Sequence, residues 1–187
     1  MRRGRRVKRG RVGRRRTARQ RRALALSGAV VRDREAARRL FARLRRRGVR
    51  LVFTNGVFDL LHIGHLRLLL AARALGDALV VGVNTDASVR RLKGRGRPIV
   101  PLPERMEMLA RFVPVDYVVP FGEDTPARLI ETVRPAVLVK GSDYRASQIV
   151  GREAVEKDGG RVVRVRLLPG RSTSRLIGRA RRAFRMS

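Results

Sequence analysis

The two histidines of the chain stand three residues apart within the run Phe53–His65. This run follows an apolar segment and leads into a helical pattern, so its backbone N–H groups would lie at a helix N-terminus, where anions bind. Two imidazoles at the same place add directional hydrogen-bond donors, and Gly56 lets a ligand approach the backbone closely. Together these groups suit the stabilisation of charge on a transferred phosphoryl group, which needs mainly positioning and electrostatics.

A metal site is the main alternative for the same run. Asp59, His62 and His65 stand at intervals of three, and this spacing alone permits metal binding. A metal would require a further ligand, and the chain has no third histidine and no cysteine. The dinucleotide-binding pattern G-x-G-x-x-G and the P-loop are also absent. The joint pattern G-x-F-D-x-x-H-x-G-H therefore favours phosphoryl chemistry, and we predict His62 and His65 as catalytic residues without a protein-bound metal.

The elements that must position this run alternate between short apolar segments and helical patterns. The apolar segments are rich in Val and Leu, as expected for strands buried on both faces. Such alternation predicts an α/β fold, Rossmann-like and doubly wound, with a five-stranded parallel sheet and ligands at the carboxyl ends of the strands. The predicted strands are Leu51–Thr54, Ala78–Val83, Tyr117–Pro120, Ala136–Val139 and Val162–Leu167, and helices are predicted at Asp33–Arg47, His65–Leu75, Asp86–Leu92, Pro103–Phe112, Pro126–Val133, Ser147–Lys157 and Thr173–Phe184.

The basic side chains are concentrated outside the middle of the sequence. The 187 residues include 46 Lys and Arg against 15 Asp and Glu, a net charge of +31, which first suggests a nucleic-acid-binding protein. Residues 51–160 are nearly balanced, however, with 15 basic and 13 acidic side chains, whereas residues 1–50 hold 22 basic and two acidic ones. We therefore predict residues 1–28 as a basic, disordered tail and residues 29–187 as a single domain. Nucleic-acid binding stays a distant alternative.

The composition also narrows the location of the protein. The absence of cysteine excludes a disulfide scaffold. No apolar run approaches the roughly 20 residues that a membrane-spanning helix needs. We expect a cytoplasmic protein without a membrane partner.

Several motifs together identify a family. The run Gly56–His65 resembles the H-x-G-H signature of the cytidylyltransferase-like nucleotidyltransferases. The longer string F-T-N-G-x-F-D is similar to the adenylyltransferase domain that makes ADP-heptose from D-glycero-β-D-manno-heptose 1-phosphate. This resemblance implies the nucleotidyltransferase type of Rossmann-like fold, ATP with Mg²⁺, a sugar 1-phosphate acceptor and release of pyrophosphate. It extends from about Val30 to about Arg182 through the motifs Val83–Val89, Arg91–Gly94, Arg97–Ile99, Glu104–Met106, Val115–Asp116, Pro120–Phe121, Glu123–Pro126, Leu138–Tyr144 and Gly170–Ser174.

The resemblance also implies roles for individual residues. It places His62 and His65 at the α-phosphate and the bridging oxygen, and Lys93 on a closing loop as a third catalytic residue. The alternative for Lys93 is a solvated loop charge, and its occurrence as one of only four lysines beside 42 arginines favours the catalytic role over that alternative. The implied nucleotide-binding residues are Thr54, Asn55, Gly56, Phe58, Gly64, Lys140, Gly141, Asp143, Tyr144, Ser172, Thr173 and Ser174; the implied substrate-binding residues are Asp59, Asn84, Asp86 and Arg105.

Some of these residues have structural alternatives. Asp59 either orders its loop or lies near the substrate, and Asp143 is also compatible with a buried structural role. Arg105 stands at a predicted helix start, where it meets a substrate phosphate or pairs with Glu104 or with an acid across a dimer. Ser172 or Thr173 is also suited to cap the last helix, and this role is compatible with anion binding.

The substrate and partners follow from the same resemblance. Glycerol-3-phosphate cytidylyltransferases carry R-T-x-G before their Ser-Thr pair, where this chain has Leu167–Gly170, so CTP-dependent transfer to another phosphorylated alcohol is the alternative rather than the first choice. Relatives are usually dimers, and we expect a homodimer. Many relatives also carry a preceding sugar-kinase domain. Because 50 upstream residues are too few for a kinase, we expect that activity on a separate protein.

Overall fold

The computed structural model describes residues 28–142, 145–166, 170 and 172–185. Among these residues, no helix has the length and apolarity needed to cross a membrane. The strands are β1 (Ala29–Val30), β2 (Leu51–Gly56), β3 (Ala78–Asn84), β4 (Tyr117–Phe121), β5 (Val137–Gly141) and β6 (Arg161–Val165). The helices are α1 (Arg34–Arg46), α2 (Ile63–Arg73), α3 (Asp86–Lys93), α4 (Leu102–Arg111), α5 (Ala127–Val133), α6 (Arg152–Lys157) and α7 (Thr173–Arg185), with a 3₁₀ turn at Ala146–Gln148.

The strands form one parallel sheet in the order β1-β4-β3-β2-β5-β6. From β2 the chain builds β3 and β4 on one side, and it then returns to place β5 and β6 on the other side of β2. The winding direction therefore reverses between β2 and β5, and open α/β sheets bind ligands beyond the carboxyl ends of strands at such a point. The predicted Rossmann-like, doubly wound parallel fold is confirmed.

Alternate residues of the central strands supply two separate cores. Leu51 and Phe53 of β2 pack with Phe41 of α1 on one face of the sheet. Val52, between them in sequence, packs on the other face with Leu69 of α2. All seven residues of β3 are buried, because helices cover both faces. This two-sided burial explains why the central strands are continuous apolar runs.

The structure differs from the predicted elements at two places. The sheet has six strands rather than five, because Ala29–Val30 pairs with Tyr117 and Val118 at one edge. The helix predicted at Ser147–Lys157 is instead the 3₁₀ turn and the shorter α6, since Gly151 takes a φ of 86° between them. The other strands and helices match the predicted segments to within a few residues at each end, apart from Leu167 of the last predicted strand, which lies outside the described residues.

Candidate active site

A cavity of about 330 Å³ lies at the carboxyl ends of β2 and β5. It therefore occupies the point where the winding of the sheet reverses, as the fold class predicts. The loop after β2, the end of α3 and the start of α7 complete its walls. The predicted residues that line it are Thr54, Asn55, Gly56, Phe58, Asp59, His62, Gly64, His65, Lys93, Lys140, Gly141, Ser172, Thr173 and Ser174.

Both histidines are held by the first turn of α2. His62 is the N-cap residue, and its Nδ1 accepts a hydrogen bond from the backbone N–H of Gly64 at 3.1 Å. His65 reaches back, and its Nδ1 accepts from the backbone N–H of His62 at 3.4 Å. The pair forms a capping box in which imidazoles replace the usual hydroxyl and carboxylate. The helix start thus fixes both rings beside the positive end of the α2 dipole.

This arrangement sets the protonation of the two rings. Because each Nδ1 accepts an N–H, a neutral ring must carry its proton on Nε2. The rings stack with centroids 3.9 Å apart and planes inclined by 20°. Burial and the adjacent His62 imidazole lower the pKa of His65 from 6.5 to about 4. At neutral pH, His65 is therefore a neutral Nε2–H donor rather than a cation or a general acid.

A second helix N-terminus meets the first one at the cavity. Ser172 caps α7, because its Oγ accepts a hydrogen bond from the backbone N–H of Arg175 at 3.3 Å. Thr173 Oγ1 donates to the backbone carbonyl of Leu60 at 3.3 Å, which ties the start of α7 to the loop before α2. Two positive helix ends and several hydroxyl groups therefore face one space, and this combination binds anions such as phosphate.

Lysines stand on opposite sides of the cavity. Lys140, near the end of β5, is buried and donates from Nζ to Oδ1 of Asn55 at the end of β2. Lys93 is the last residue of α3 and is exposed. Gly94 ends that helix with a φ of 85°, a conformation that favours glycine, so the chain turns away at once and leaves Lys93 at the cavity rim.

Phe58 shapes the floor of the site beneath the histidines. Its backbone adopts a φ of 49°, and its ring is buried with its centroid 5.2 Å from that of His65. A Cβ at Gly56 would lie 3.2 Å from the Phe58 ring. A side chain at position 56 would therefore press on the ring that supports His65, which accounts for glycine at this position.

Asp59 orders the loop and also lines the cavity. Its carboxylate accepts hydrogen bonds from the backbone N–H groups of Ile99 and Val100 at 2.8–3.0 Å, and from Nε of Arg97 at 2.6 Å. Burial alone would raise the pKa of Asp59, but these donors outweigh it and hold the pKa below its usual value. These contacts order the loop, which is one of the two roles expected for Asp59.

Three predicted substrate-binding residues do not line the cavity: Asn84, Asp86 and Arg105. Arg105 on α4 is fully buried and donates to the backbone carbonyl of Asn84 and to the Asp86 carboxylate. Its other donors reach the carbonyls of Val57 and Val100. With its guanidinium directed to these groups, Arg105 is placed to support the loops that border the cavity rather than to contact a ligand there.

The geometry also bears on the metal alternative. Nδ1 of each histidine accepts a backbone N–H, and the Asp59 oxygens accept the donors named above. In the described part of the chain, no cluster of three or more His, Asp or Glu side chains is arranged to hold a metal ion.

Asp143 and Tyr144, two predicted nucleotide-binding residues, lie outside the described residues.

Three residues that the sequence did not single out as ligand contacts also line the cavity: Val57, Leu68 and Arg97. Leu68 follows His65 by three residues on α2, so helical spacing could have placed it on the same face. Arg97 belongs to a recognised motif and follows Lys93 by four residues. It was hidden among the many arginines of the chain.

Comparison with known proteins gives consistent relatives. The sequence matches the Cytidylyltransferase-like family model over residues 53–166, a range that holds both histidines and Lys140. The chain is 53% identical over 151 residues to the bifunctional protein HldE of Citrifermentans bemidjiense, covering 81% of this chain and 31% of that protein. It is 57% identical over 139 residues to HldE of Alkalilimnicola ehrlichii, covering 74% and 29%. The chain thus spans about a third of the length of these curated relatives.

Solved structures share the fold. A lipopolysaccharide core biosynthesis protein from Thermoplasma volcanium is 30% identical, with a TM-score of 0.54, and the match covers 65% of this chain and 98% of that one. A pantoate-β-alanine ligase from Francisella tularensis superimposes with a TM-score of 0.57 at 14% identity, over 79% and 69% of the two chains, and this likeness concerns the fold alone. The predicted superfamily is therefore confirmed, and the chain belongs to the cytidylyltransferase-like family.

Proposed function

We propose that the protein is an adenylyltransferase that joins the AMP portion of ATP to a sugar 1-phosphate and releases pyrophosphate. The acceptor that we propose first is D-glycero-β-D-manno-heptose 1-phosphate, which would give ADP-heptose. The observation that carries this proposal is the meeting of two helix N-termini, with the two stacked histidines, in one cavity. The sequence similarity to the bifunctional HldE proteins and to a lipopolysaccharide core biosynthesis protein supports the choice of acceptor.

The proposed reaction is an in-line displacement at the α-phosphorus. An oxygen of the acceptor phosphate forms the new P–O bond, and the bond to the oxygen bridging the α- and β-phosphates breaks as pyrophosphate leaves. A phosphate monoester has its second pKa near 6 and is already ionised at neutral pH, so its oxygen needs no general base. The protein therefore has to position the reactants and stabilise charge.

The residues around the cavity have matching tasks in this proposal. The Nε2–H groups of His62 and His65 donate to the α-phosphate and to the bridging oxygen, where negative charge develops. The N-terminus of α7, with Ser172, Thr173 and Ser174, binds the leaving pyrophosphate. Lys93 offsets charge from the exposed rim. We place the nucleoside of ATP beside Lys140 and Asn55, at the ends of β5 and β2.

Magnesium enters this proposal as the counter-ion of the triphosphate. The Asp59 oxygens are used by Arg97 and by backbone N–H groups, so this carboxylate is not available as a Mg²⁺ ligand. Mg²⁺ is commonly bound through substrate phosphates and water, where it neutralises phosphate charge. The residues present suit a cation that arrives with ATP.

The decisive experiment measures pyrophosphate release with ATP or CTP against a panel of sugar and polyol phosphates. We expect the highest kcat/KM with ATP and the heptose 1-phosphate. A preference for CTP with glycerol 3-phosphate would replace this proposal with the cytidylyltransferase alternative. Failure to release pyrophosphate with every pair would reject nucleotidyl transfer itself.

We also propose that the protein acts as a homodimer and that a sugar kinase activity forms its acceptor. The motifs of this chain resemble those of nucleotidyltransferases that are usually dimers and that often carry a sugar-kinase domain. This resemblance supports both points. Light scattering of the full chain tests the first point, since a monomeric mass at micromolar concentration contradicts it. The second is tested by coupling the enzyme to a kinase that phosphorylates the anomeric position.

A further inference from the structure

Arg97 presents a partly free guanidinium on the cavity wall. Its Nε donates to Oδ2 of Asp59 at 2.6 Å, and its side chain is 19% exposed. The two Nη groups form no hydrogen bond to any residue that the structure describes. Because Arg97 lines the cavity, these groups offer a planar pair of donors beside it. A guanidinium of this form matches two oxygens of a phosphate or a carboxylate.

The orientation of Arg97 is fixed by the same carboxylate that fixes its loop. Asp59 is completely buried at its side chain and also accepts hydrogen bonds from the backbone N–H groups of Ile99 and Val100. One rigid carboxylate therefore holds both the guanidinium and the backbone two and three residues beyond it. A fork held in advance in this way loses little conformational entropy when a ligand binds.

The sheet order indicates which phosphate Arg97 meets. Lys140 lies near the end of β5, and the residues Ser172–Ser174 follow β6, so both are on one side of β2. Lys93 and Arg97 follow β3, on the opposite side, and the histidines lie on the loop after β2 between them. In-line transfer requires the attacking and leaving oxygens on opposite sides of the α-phosphorus. With pyrophosphate at the start of α7, the attacking phosphate belongs on the β3 side.

We propose that Arg97, aligned by Asp59, binds the phosphate group of the acceptor and presents its oxygen to the α-phosphorus. This inference rests on the proposed function for the identity of the acceptor. It assigns the recognition of a phosphate monoester to a residue distinct from Lys93 and from the helix N-termini. An acceptor with a free hydroxyl in place of the phosphate would leave this guanidinium without its ligand.

Three substitutions test the assignment. Arg97→Gln removes the charge and the fork, whereas Arg97→Lys keeps the charge alone. Arg95→Gln is the matched control, because Arg95 lies in the same loop, is exposed and does not line the cavity. The measurements are KM for the heptose 1-phosphate, and calorimetric Kd values for ATP and for inorganic phosphate, the latter in the presence of a non-hydrolysable ATP analogue.

We expect Arg97→Gln to raise the acceptor KM and the Kd for inorganic phosphate by about 10- to 100-fold, the effect of losing a charged hydrogen-bond pair. The Kd for ATP should change by less than about threefold, and Arg97→Lys should recover only part of the loss. Arg95→Gln should behave like the wild type. The melting temperature, recorded for every variant, separates a binding defect from a folding defect.

Two results would overturn the assignment. Weaker ATP binding with an unchanged acceptor KM would place Arg97 on the triphosphate, and unchanged values for both would leave the Asp59 ion pair as its only role. The phosphate titration needs no turnover, so it decides the role of Arg97 even if the enzyme proves to use another acceptor. A wild-type protein that binds no inorganic phosphate at this site also overturns it.

Discussion

Arg105 and Asp86 form an ion pair of 2.6 Å that joins α4 to the start of α3. The Arg105 side chain has no exposed surface, whereas the Asp86 side chain is 30% exposed. The same guanidinium donates to the backbone carbonyls of Asn84, Val57 and Val100. One buried cation thus connects the end of β3, the loop that leads to the histidines and the segment that follows Arg97.

Replacing Arg105 should therefore affect stability before it affects ligand contact. Arg105→Met leaves three carbonyls and the Asp86 carboxylate without their donor. We expect a loss of about 3–5 kcal/mol in the free energy of unfolding, the usual effect of breaking a buried ionic network. Arg111→Met on the same helix is the control, because Arg111 is exposed and its ion pair with Glu107 is long, at 3.9 Å. Equal stability of the two variants in urea unfolding would contradict the supporting role.

The chemistry of His65 can be separated from its role in the capping box. Glutamine at this position retains the ability to accept the N–H of residue 62, because Gln is a normal partner in capping boxes. We expect His65→Gln to keep its melting temperature while kcat falls by about 100-fold or more, the loss seen when one preorganised donor is removed. His65→Ala should lose the same activity and also stability. Near-normal turnover of either variant would remove His65 from the mechanism.

His62 offers the same separation at the N-cap. Asparagine is a strong N-cap residue, whereas alanine is a poor one, with a typical difference of about 1 kcal/mol. His62→Asn should therefore be more stable than His62→Ala, and both should have lost turnover to a similar extent. Thermal unfolding with steady-state kinetics checks this prediction. Turnover that recovers together with stability in His62→Asn would show that the cap alone matters.

The lowered pKa of His65 gives stability a defined pH dependence. Its folded-state pKa is about 4, below the value of 6.5 that applies without the fold. Between pH 4 and pH 6.5 the unfolded chain binds more protons than the folded chain. The contribution of neutral His65 to the free energy of unfolding is therefore complete above pH 6.5 and is lost as the pH falls towards 4. The free energy of unfolding, measured with urea at each pH, should change with pH more steeply in the wild type than in His65→Gln. The two slopes against pH should differ by up to about 1.4 kcal/mol per pH unit in this window. Parallel curves would show that His65 titrates normally.

Lys93 should matter for turnover and not for folding, because it is exposed at the end of α3. We expect Lys93→Ala to lower kcat/KM by about 10- to 100-fold with an unchanged melting temperature. Lys93→Arg should recover only part of the loss, since the planar fork does not replace a compact ammonium. The control is Lys157→Ala, at the end of α6 and outside the cavity lining. A loss of activity equal to that of this control would exclude a role for Lys93.

The basic N-terminal segment should be dispensable for turnover. The described structure begins at Gly28, whose N–H donates to the carbonyl of Ala110, and the cavity lining begins at Thr54. Removing residues 1–27 deletes 13 Lys and Arg residues, and we expect kcat and KM to stay within about twofold of the full chain at physiological salt, because the described cavity lining contains none of these residues. Kinetics of the two proteins, with and without added RNA, test this. A collapse of turnover in the shortened protein would assign that segment a part in the reaction.

The central strands were predictable because strands buried on both faces are continuous apolar runs in the sequence. Residues 78–83 form an unbroken apolar run apart from Gly82, and such a run has few alternatives between turn signals. The edge strand Ala29–Val30 was not predictable. It has two residues, too few to show a period, and its pairing with Tyr117 and Val118 depends on a partner almost 90 positions away.

The site divides in the same way. His62 and His65 stand in a short motif next to a predicted helix start, so the local pattern was enough to mark them as phosphate-binding candidates. Residues 172–174 were assigned to the same site by the family resemblance, since their spacing alone indicated only a helix cap. The position of Arg105 required the fold, because a basic side chain near a helix start does not reveal that it will donate to backbone carbonyls at the end of β3 and in two separate loops. Arg97 was overlooked because it is one of 42 arginines and its partner Asp59 is 38 residues away.

The hydrogen bond between Thr173 and the Leu60 carbonyl joins two segments that are synthesised at different times. Leu60 precedes Thr173 by 113 residues, so the histidine loop leaves the ribosome long before the helix that completes the cavity. At about 5–20 residues per second, this interval is roughly 6–23 s. Until then the emerging chain lacks the second helix N-terminus that borders the cavity. Under the proposed function, the complete triphosphate site therefore forms only after the start of α7 has been synthesised.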